Sequence, residues 1–252
     1  MNEKLKSLTE RYHRQLLLPE IGTIGQERLG DSKVLVVGAG GLGSAVLLYL
    51  AAAGVGNLGI ADGDEVRLDN LNRQVLHRSR DVGVPKPISA RRTLNALNPE
   101  VRVVTYFERI DSVGTAKVLI SQYDVVVDAT DNFSARCTLN RACAELGVPL
   151  VHGSVHRFEG QASVFWTPKG PCYQCLFPRV PPEATEPIPV VGPVPGLIGT
   201  IQALETLKIL LGVGTPLLGR LLIYDGLNME FTTVRFARRP DCPVCGEGAV
   251  HL

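Results

Sequence analysis

The chain has 252 residues, 26 Lys and Arg against 25 Asp and Glu, a formal net charge of +1 and an isoelectric point near 7.6. That length buries a substantial core, as one large domain or two small ones, and the balanced charge gives no electrostatic case for a nucleic-acid-binding surface. No run approaches eighteen apolar residues and the polar stretch MNEKLKSLTERYHRQ lacks an apolar signal core, so the expectation is a soluble cytoplasmic protein that spans no membrane.

Residues 1–30 read as helical turns ahead of the first strand. Lys33-Val34-Leu35-Val36-Val37 is a short apolar run of the kind found in buried parallel strands. It enters Gly38-Ala39-Gly40-Gly41-Leu42-Gly43. Ser44 to Ala53 then reads as a helix stopped by Gly54. Leu58 to Ala61 is the second strand, ending at Asp62, and the three pieces make a βαβ unit. Alternation continues with a helix over Pro85 to Leu97, a strand over Val101 to Tyr106 and a helix over Ser112 to Ser121. A buried strand over Asp124 to Asp128 follows, then a helix up to Gly147 and a further strand from Leu150. This order predicts a Rossmann-like, doubly wound, mostly parallel α/β sheet.

The second part changes style. Gly160 to Trp166 alternates like an antiparallel strand. Residues 178–195 hold seven prolines, which predicts an extended crossing segment and excludes regular helix there. Gly196 to Leu211 has helical spacing, and Arg220 to Tyr224 and Glu230 to Phe236 read as closing strands. The expectation is one domain over 1–252. It divides into a first part over 1–155 and an antiparallel C-terminal part over 156–252 that metal ties back.

Two matched pairs, Cys172-x-x-Cys175 and Cys242-x-x-Cys245, carry that tie. Each pair points two thiolates at one ion, and two pairs complete a tetrahedral zinc site with no open position, hence a structural one. Reduced cytoplasmic thiols favour zinc over disulfides. A redox-active pair or chance spacing does not explain why there are two.

Gly38-x-Gly40-x-x-Gly43 is a weak signal alone. Its place after a strand and before a helix, with Asp62 about twenty residues on, strengthens it. The glycines let the backbone approach phosphate at a helix N-terminus, and Asp62 accepts bonds from ribose hydroxyls. A nicotinamide dehydrogenase is the first reading of that fingerprint. Arg73 and Lys86, set among Asn70-Leu71-Asn72-Arg73-Gln74 and Pro85-Lys86, argue instead for a triphosphate whose charge must be neutralised during transfer. Asp131, in Asp128-Ala129-Thr130-Asp131-Asn132, sits at a strand's carboxyl end and can hold Mg²⁺, while Asp131 or Asn132 can also cap the next helix.

Taken with Arg11-Tyr12-His13-Arg14-Gln15, Ala53-Gly54-Val55-Gly56, Asp62-Gly63-Asp64 and Gln202-Ala203-Leu204-Glu205, these motifs resemble the HesA/MoeB/ThiF family, bacterial relatives of ubiquitin-activating enzymes, from about residue 10 to 246. The resemblance implies an ATP-dependent adenylyltransferase acting on the C-terminal glycine carboxylate of a MoaD/ThiS-type sulfur carrier that ends in Gly-Gly. The pathway implied is molybdenum cofactor or thiamine biosynthesis. It implies nucleotide contacts from Gly38, Gly40, Gly41, Gly43, Asp62, Asp64, Asn70, Arg73, Gln74, Lys86, Asp131 and Asn132, with Asp131 on Mg²⁺. It also implies a homodimer in which Arg14 reaches into the other subunit's site. No family cysteine stands in the crossover loop, where Thr185 lies near its place, and Cys137 and Cys143 read as packing residues. The expectation is therefore adenylation without a covalent carrier intermediate, and sulfur delivery by a separate sulfurtransferase. His13, His77, His152, His156 and His251 share no ligand spacing and read as packing or surface residues. Alternatives are a tRNA-carboxyl-activating dehydratase, for which a basic surface would be needed, and a non-catalytic carrier-binding scaffold.

Overall fold

The computed structural model describes residues 10–179 and 188–247. Thr185, the stretch around it and His251 lie outside the described residues. Helices α1 (His13–Leu16) and α2 (Gly22–Asp31) precede β1 (Lys33–Val37). The alternation continues through α3 (Gly41–Ala53), β2 (Asn57–Ala61), α4 (Lys86–Leu97), β3 (Arg102–Tyr106), α5 (Val113–Ile120), β4 (Val125–Asp128) and α6 (Phe133–Leu146). Then come β5 (Leu150–His156), β6 (Glu159–Phe165), α7 (Tyr173–Leu176), α8 (Pro193–Leu211), β7 (Arg220–Asp225) and β8 (Glu230–Arg235).

The eight strands form one sheet in the order β3-β2-β1-β4-β5-β6-β7-β8. Neighbours from β3 to β5 pair parallel, and those from β5 to β8 antiparallel. This is the expected α/β sheet with an antiparallel extension. Helices cover both faces of the parallel part, so β1, β2 and β4 are near-continuous buried runs rather than alternating ones, while β3 at the edge is only partly buried. In β1, Val34 and Val36 pack into the core under α3 and α8, while Leu35 and Val37 face the core under α5 and α6.

Two element boundaries differ from expectation by more than one residue, both at helix starts. Helix α3 begins at Gly41 rather than Ser44, so Gly41 and Gly43 lie in its first turn. A Cβ at Gly43 would overlap the Gly38 carbonyl oxygen, so absence of a side chain there outweighs glycine's poor helix propensity. Helix α8 begins at Pro193, inside the segment expected to be non-helical. The first-turn N–H that proline lacks has no intrahelical partner in any case, and its fixed φ suits the helix. By length and hydropathy, 19 residues and 1.3, α8 is also long and apolar enough to cross a membrane. Half of that stretch is buried in this fold. It packs on α3 through Gly199, where a Cβ would overlap the Leu42 carbonyl, and it reaches β4 and β5 through the buried Gln202.

The chain leaves β1 toward β2 on one side, and β4 lies on the other. Such a switch point opens a crevice at the strands' carboxyl ends. The glycine turn after β1 and the Asp128–Asn132 turn after β4 meet there.

Candidate nucleotide site and metal-binding cysteine cluster

Gly38 takes φ +97°, and a Cβ on it would come within 2.5 Å of the Ala129 carbonyl oxygen. Only glycine lets the turns after β1 and β4 touch. The Ala129 N–H donates to the Val37 carbonyl, which joins the turns further. At α3, the N-cap is Gly40; no side chain caps it and no acid stands in the first turn. The leading N–H groups and the positive end of the helix dipole therefore face the crevice. Beside them lies Gln74, only 5% exposed, whose Oε1 has no hydrogen-bond partner and whose Nε2 comes 3.7 Å from the Cβ position of Gly40. Pro195 from α8 and Arg73 flank Gly41. A cradle without side chains, with uncapped helix N–H groups and the Gln74 Nε2 donor beside it, suits a phosphate chain.

Asp62, at the end of β2, accepts from the Ala39 N–H at 2.7 Å and the Asp64 N–H at 2.8 Å. Burial lifts its carboxyl above the usual range, outweighing the Lys86 charge. Asp64 takes Lys86 Nζ at 3.0 Å on one oxygen and Arg109 Nη2 at 2.9 Å on the other. Burial pushes the Asp64 carboxyl up, but those two cations outweigh it and hold it low. The aliphatic stem of Lys86 is buried at the start of α4, so its ammonium sits beside the crevice on a short tether.

Arg73 is held locally by the Asp69 carbonyl and the Asn72 side chain, both at 3.0 Å. Asn70 closes its own 3₁₀ turn by accepting from the Arg67 N–H. Asn132 caps α6, accepting from the Ala135 N–H at 2.8 Å, while Asp131 beside it is exposed. The structure thus gathers Gly38, Gly40, Gly41, Gly43, Asp62, Asp64, Asn70, Arg73, Gln74, Lys86, Asp131 and Asn132 on the carboxyl side of the sheet. Arg14 is not among them. Its neighbour Gln15 donates to the Ala53 carbonyl, and Tyr12 packs on Gly54. Arg14 therefore lies at the far end of α3, about 20 Å from the glycine turn at 1.5 Å per residue.

Two buried histidines carry polar networks that their isolated positions in sequence do not announce. His77 Nε2 lies 2.9 Å from the Ala39 carbonyl, and Ser89 Oγ bridges His77 Nδ1 (2.8 Å) and Asp81 (3.0 Å). His152 Nδ1 lies 2.7 Å from Asp128 Oδ2. Asp128 Oδ1 in turn accepts from both the N–H and the hydroxyl of Thr130.

The four cysteines of the two pairs cluster in a buried pocket with Ala144 and Val244, their sulfurs all within 4.8 Å of one another. Cys172 lies 3.5 Å from Cys242 and Cys175 lies 3.3 Å from Cys245. These separations are too long for disulfides and close to the ~3.8 Å edge of a tetrahedron with 2.3 Å metal–sulfur bonds. The cluster fits a four-coordinate metal ion. Cys143 is buried in α6, and burial lifts its thiol far above the usual range, so it stays protonated and inert.

The glycine turn at a sheet switch point, with cations beside it, defines an α/β protein of the nucleotide-binding type, and four clustered cysteines in its C-terminal extension fit a metal ion. Comparison with known proteins narrows this. The ThiF family model matches residues 12–244, and the chain belongs to the ThiF family. It is 49% identical over 251 residues to the sulfur carrier protein adenylyltransferase of Thermus thermophilus, covering 96% of this chain and 92% of that protein. It is also 49% identical over 245 residues to the SAMP-activating enzyme E1 of Haloferax volcanii, covering 96% and 90%. The mouse adenylyltransferase and sulfurtransferase MOCS3 is 49% identical over 242 residues, and the match spans 94% of this chain and 52% of that one. Among solved structures, E. coli MccB with MccA-N7isoASN superposes with a TM-score of 0.84 at 23% identity, covering 95% of this chain and 75% of that one. At that identity the likeness establishes the fold.

Proposed function

We propose that this chain is an ATP-dependent adenylyltransferase that activates the C-terminal glycine carboxylate of a small ubiquitin-like sulfur carrier. The reading rests above all on the uncapped start of α3, bare of side chains and flanked by the Gln74 Nε2 donor. The names of relatives 49% identical over nearly the whole chain support the carrier as the second substrate.

The chemistry needs no base. A terminal carboxylate, with a pKa of about 3.5, is already ionised at neutral pH. One of its oxygens attacks the α-phosphorus, the bond to the bridging oxygen breaks, and pyrophosphate leaves in line. The protein's work is alignment and charge neutralisation. The backbone at Gly38, Gly40, Gly41 and Gly43 receives the phosphates, with Gln74 and Asn70 beside them. Asp62 faces the ribose, and its bonds to the Ala39 and Asp64 N–H groups hold its carboxylate ready on that side. Lys86 and Arg73 neutralise the phosphates. Asp131, next to the capping Asn132, would hold Mg²⁺, which spreads phosphate charge. Cys172, Cys175, Cys242 and Cys245 would hold a structural Zn²⁺. Arg14, remote from its own chain's crevice, acts in that of a second copy, which makes the working unit a homodimer.

Within this reading residues 1–155 bind nucleotide and 156–252 receive the carrier. The protein works in the cytoplasm beside a separate sulfurtransferase, supplying sulfur for molybdenum cofactor or thiamine. The test is ATP–pyrophosphate exchange with candidate carriers ending in Gly-Gly. Exchange requires the carrier and Mg²⁺, and Asp131→Ala loses most turnover with the fold intact. Tight NAD binding without ATP binding overturns the reading.

A further inference from the structure

We propose that His152 is a positioning residue for the adenylation reaction: acting through Asp128, it sets the Thr130–Asp131 turn at the mouth of the nucleotide crevice. The proposal rests on the functional reading above. Asp128 closes β4 and is fully buried, so its charge must be met inside the protein. Its two oxygens divide the task. Oδ1 accepts from the Thr130 N–H at 3.0 Å and the Thr130 hydroxyl at 2.7 Å, fixing the turn that presents Asp131. Oδ2 accepts from His152 Nδ1 at 2.7 Å. A carboxylate can only accept, so this contact places the imidazole proton on Nδ1. The other side of Thr130 is held as well: its carbonyl accepts from Arg136 Nη2 at 3.0 Å.

His152 itself has little freedom. It stands on β5, registered opposite Asp128 on β4. Its ring meets Tyr173 edge-on with centroids 5.2 Å apart and lies 5.8 Å from Phe165. Burial holds the imidazole below its usual pKa, and the Asp128 carboxyl is lowered despite its burial by the His152 hydrogen bond and the nearby Arg136 charge. The pair is therefore a neutral imidazole donating to a carboxylate. Without that donor, Asp128 Oδ2 is left unpaired in a closed interior. The carboxyl then takes up a proton or turns toward another donor, and either change releases Thr130. Partners that orient a ligating side chain from behind typically change metal affinity or activity 10–100-fold when removed.

The experiment compares His152→Asn with His152→Leu. Asparagine keeps an N–H donor near the place of Nδ1, whereas leucine keeps the apolar contact with Tyr173 and Phe165 and loses the donor. Two readouts are taken on the full chain at a temperature where both variants are folded: kcat and KM for ATP in carrier-dependent pyrophosphate exchange, and hydrogen exchange at the Thr130 amide. The expected result is that leucine lowers kcat about 10–100-fold, raises KM far less and accelerates exchange at Thr130, while asparagine restores both. A role confined to packing gives the reverse order, with leucine equal to or better than asparagine, and overturns the proposal. So does a leucine variant with wild-type kcat and Thr130 protection. An inactive wild-type protein marks failure of the functional reading instead, and leaves His152 with no reaction to position.

Discussion

Stripping the metal from the cysteine cluster tests the idea that this site is a staple and nothing more. Each sulfur contact across the cluster, Cys172 to Cys242 and Cys175 to Cys245, joins positions 70 residues apart. Treated as a cross-link on the unfolded chain, closure of a loop that long is worth about 4 kcal/mol at 25 °C. For a chain of 252 residues the unfolding entropy near Tm is about 0.5 kcal/mol/K, so the same energy appears as a fall in Tm of about 8 °C. Burial lifts the Cys172 and Cys245 thiols above their usual range, so at neutral pH the metal-free cluster carries these as thiols and metal uptake expels their protons. The metal's contribution to stability thus declines on acidification and keeps rising as pH climbs through neutrality toward the ordinary cysteine pKa of about 8.5. Calorimetry and metal analysis on the protein before and after chelation, and on Cys245→Ser, measure both effects. Pyrophosphate exchange well below the lowered Tm should persist. A protein shown to be metal-free with an unchanged Tm refutes the staple, and so does a stable one with no metal as purified.

Gly43→Ala places a Cβ against the Gly38 carbonyl and should destabilise by more than about 2 kcal/mol, whereas Gly196→Ala meets nothing within 4 Å inside α8 and should gain about 0.5–1 kcal/mol; urea titration of the two variants reads both signs. Arg14→Ala and Arg73→Ala, each nearly inactive alone, should regain exchange on mixing because one crevice per heterodimer is intact. No rescue despite proven subunit exchange removes Arg14 from a shared site. Pyrophosphate exchange should survive replacement of Cys137 and Cys143 by Ala, and no reducible carrier adduct should form, since Cys143 is buried and protonated. An adduct mapped to either helix cysteine would reverse the mechanism.

The features legible in the sequence were those whose signal is local. Val34 to Val37 announced a buried strand because both faces of β1 are covered, and Gly54 and Gly147 announced helix ends because both take left-handed φ there. The glycine turn was legible as a motif, yet its reason is not local: Gly38 must be glycine because of Ala129 and Gly43 because of the Gly38 carbonyl. The start of α3 was misplaced for the same cause, since propensity disfavours Gly41 and Gly43 in a helix and only the crossing of the chain with itself requires them. The polar network was the part out of reach. Lys86 finds Asp64 across 22 residues, His77 finds the Ala39 carbonyl across 38, and His152 finds Asp128 across 24. A buried histidine has no spacing rule, because its partner is chosen by strand order and not by chain separation. β4 and β5 are neighbours only in the folded sheet, and their register sets His152 opposite Asp128. Residues that line the crevice carry their chemistry in their identity and can be named from sequence; residues that hold the lining in place acquire their role only from the fold.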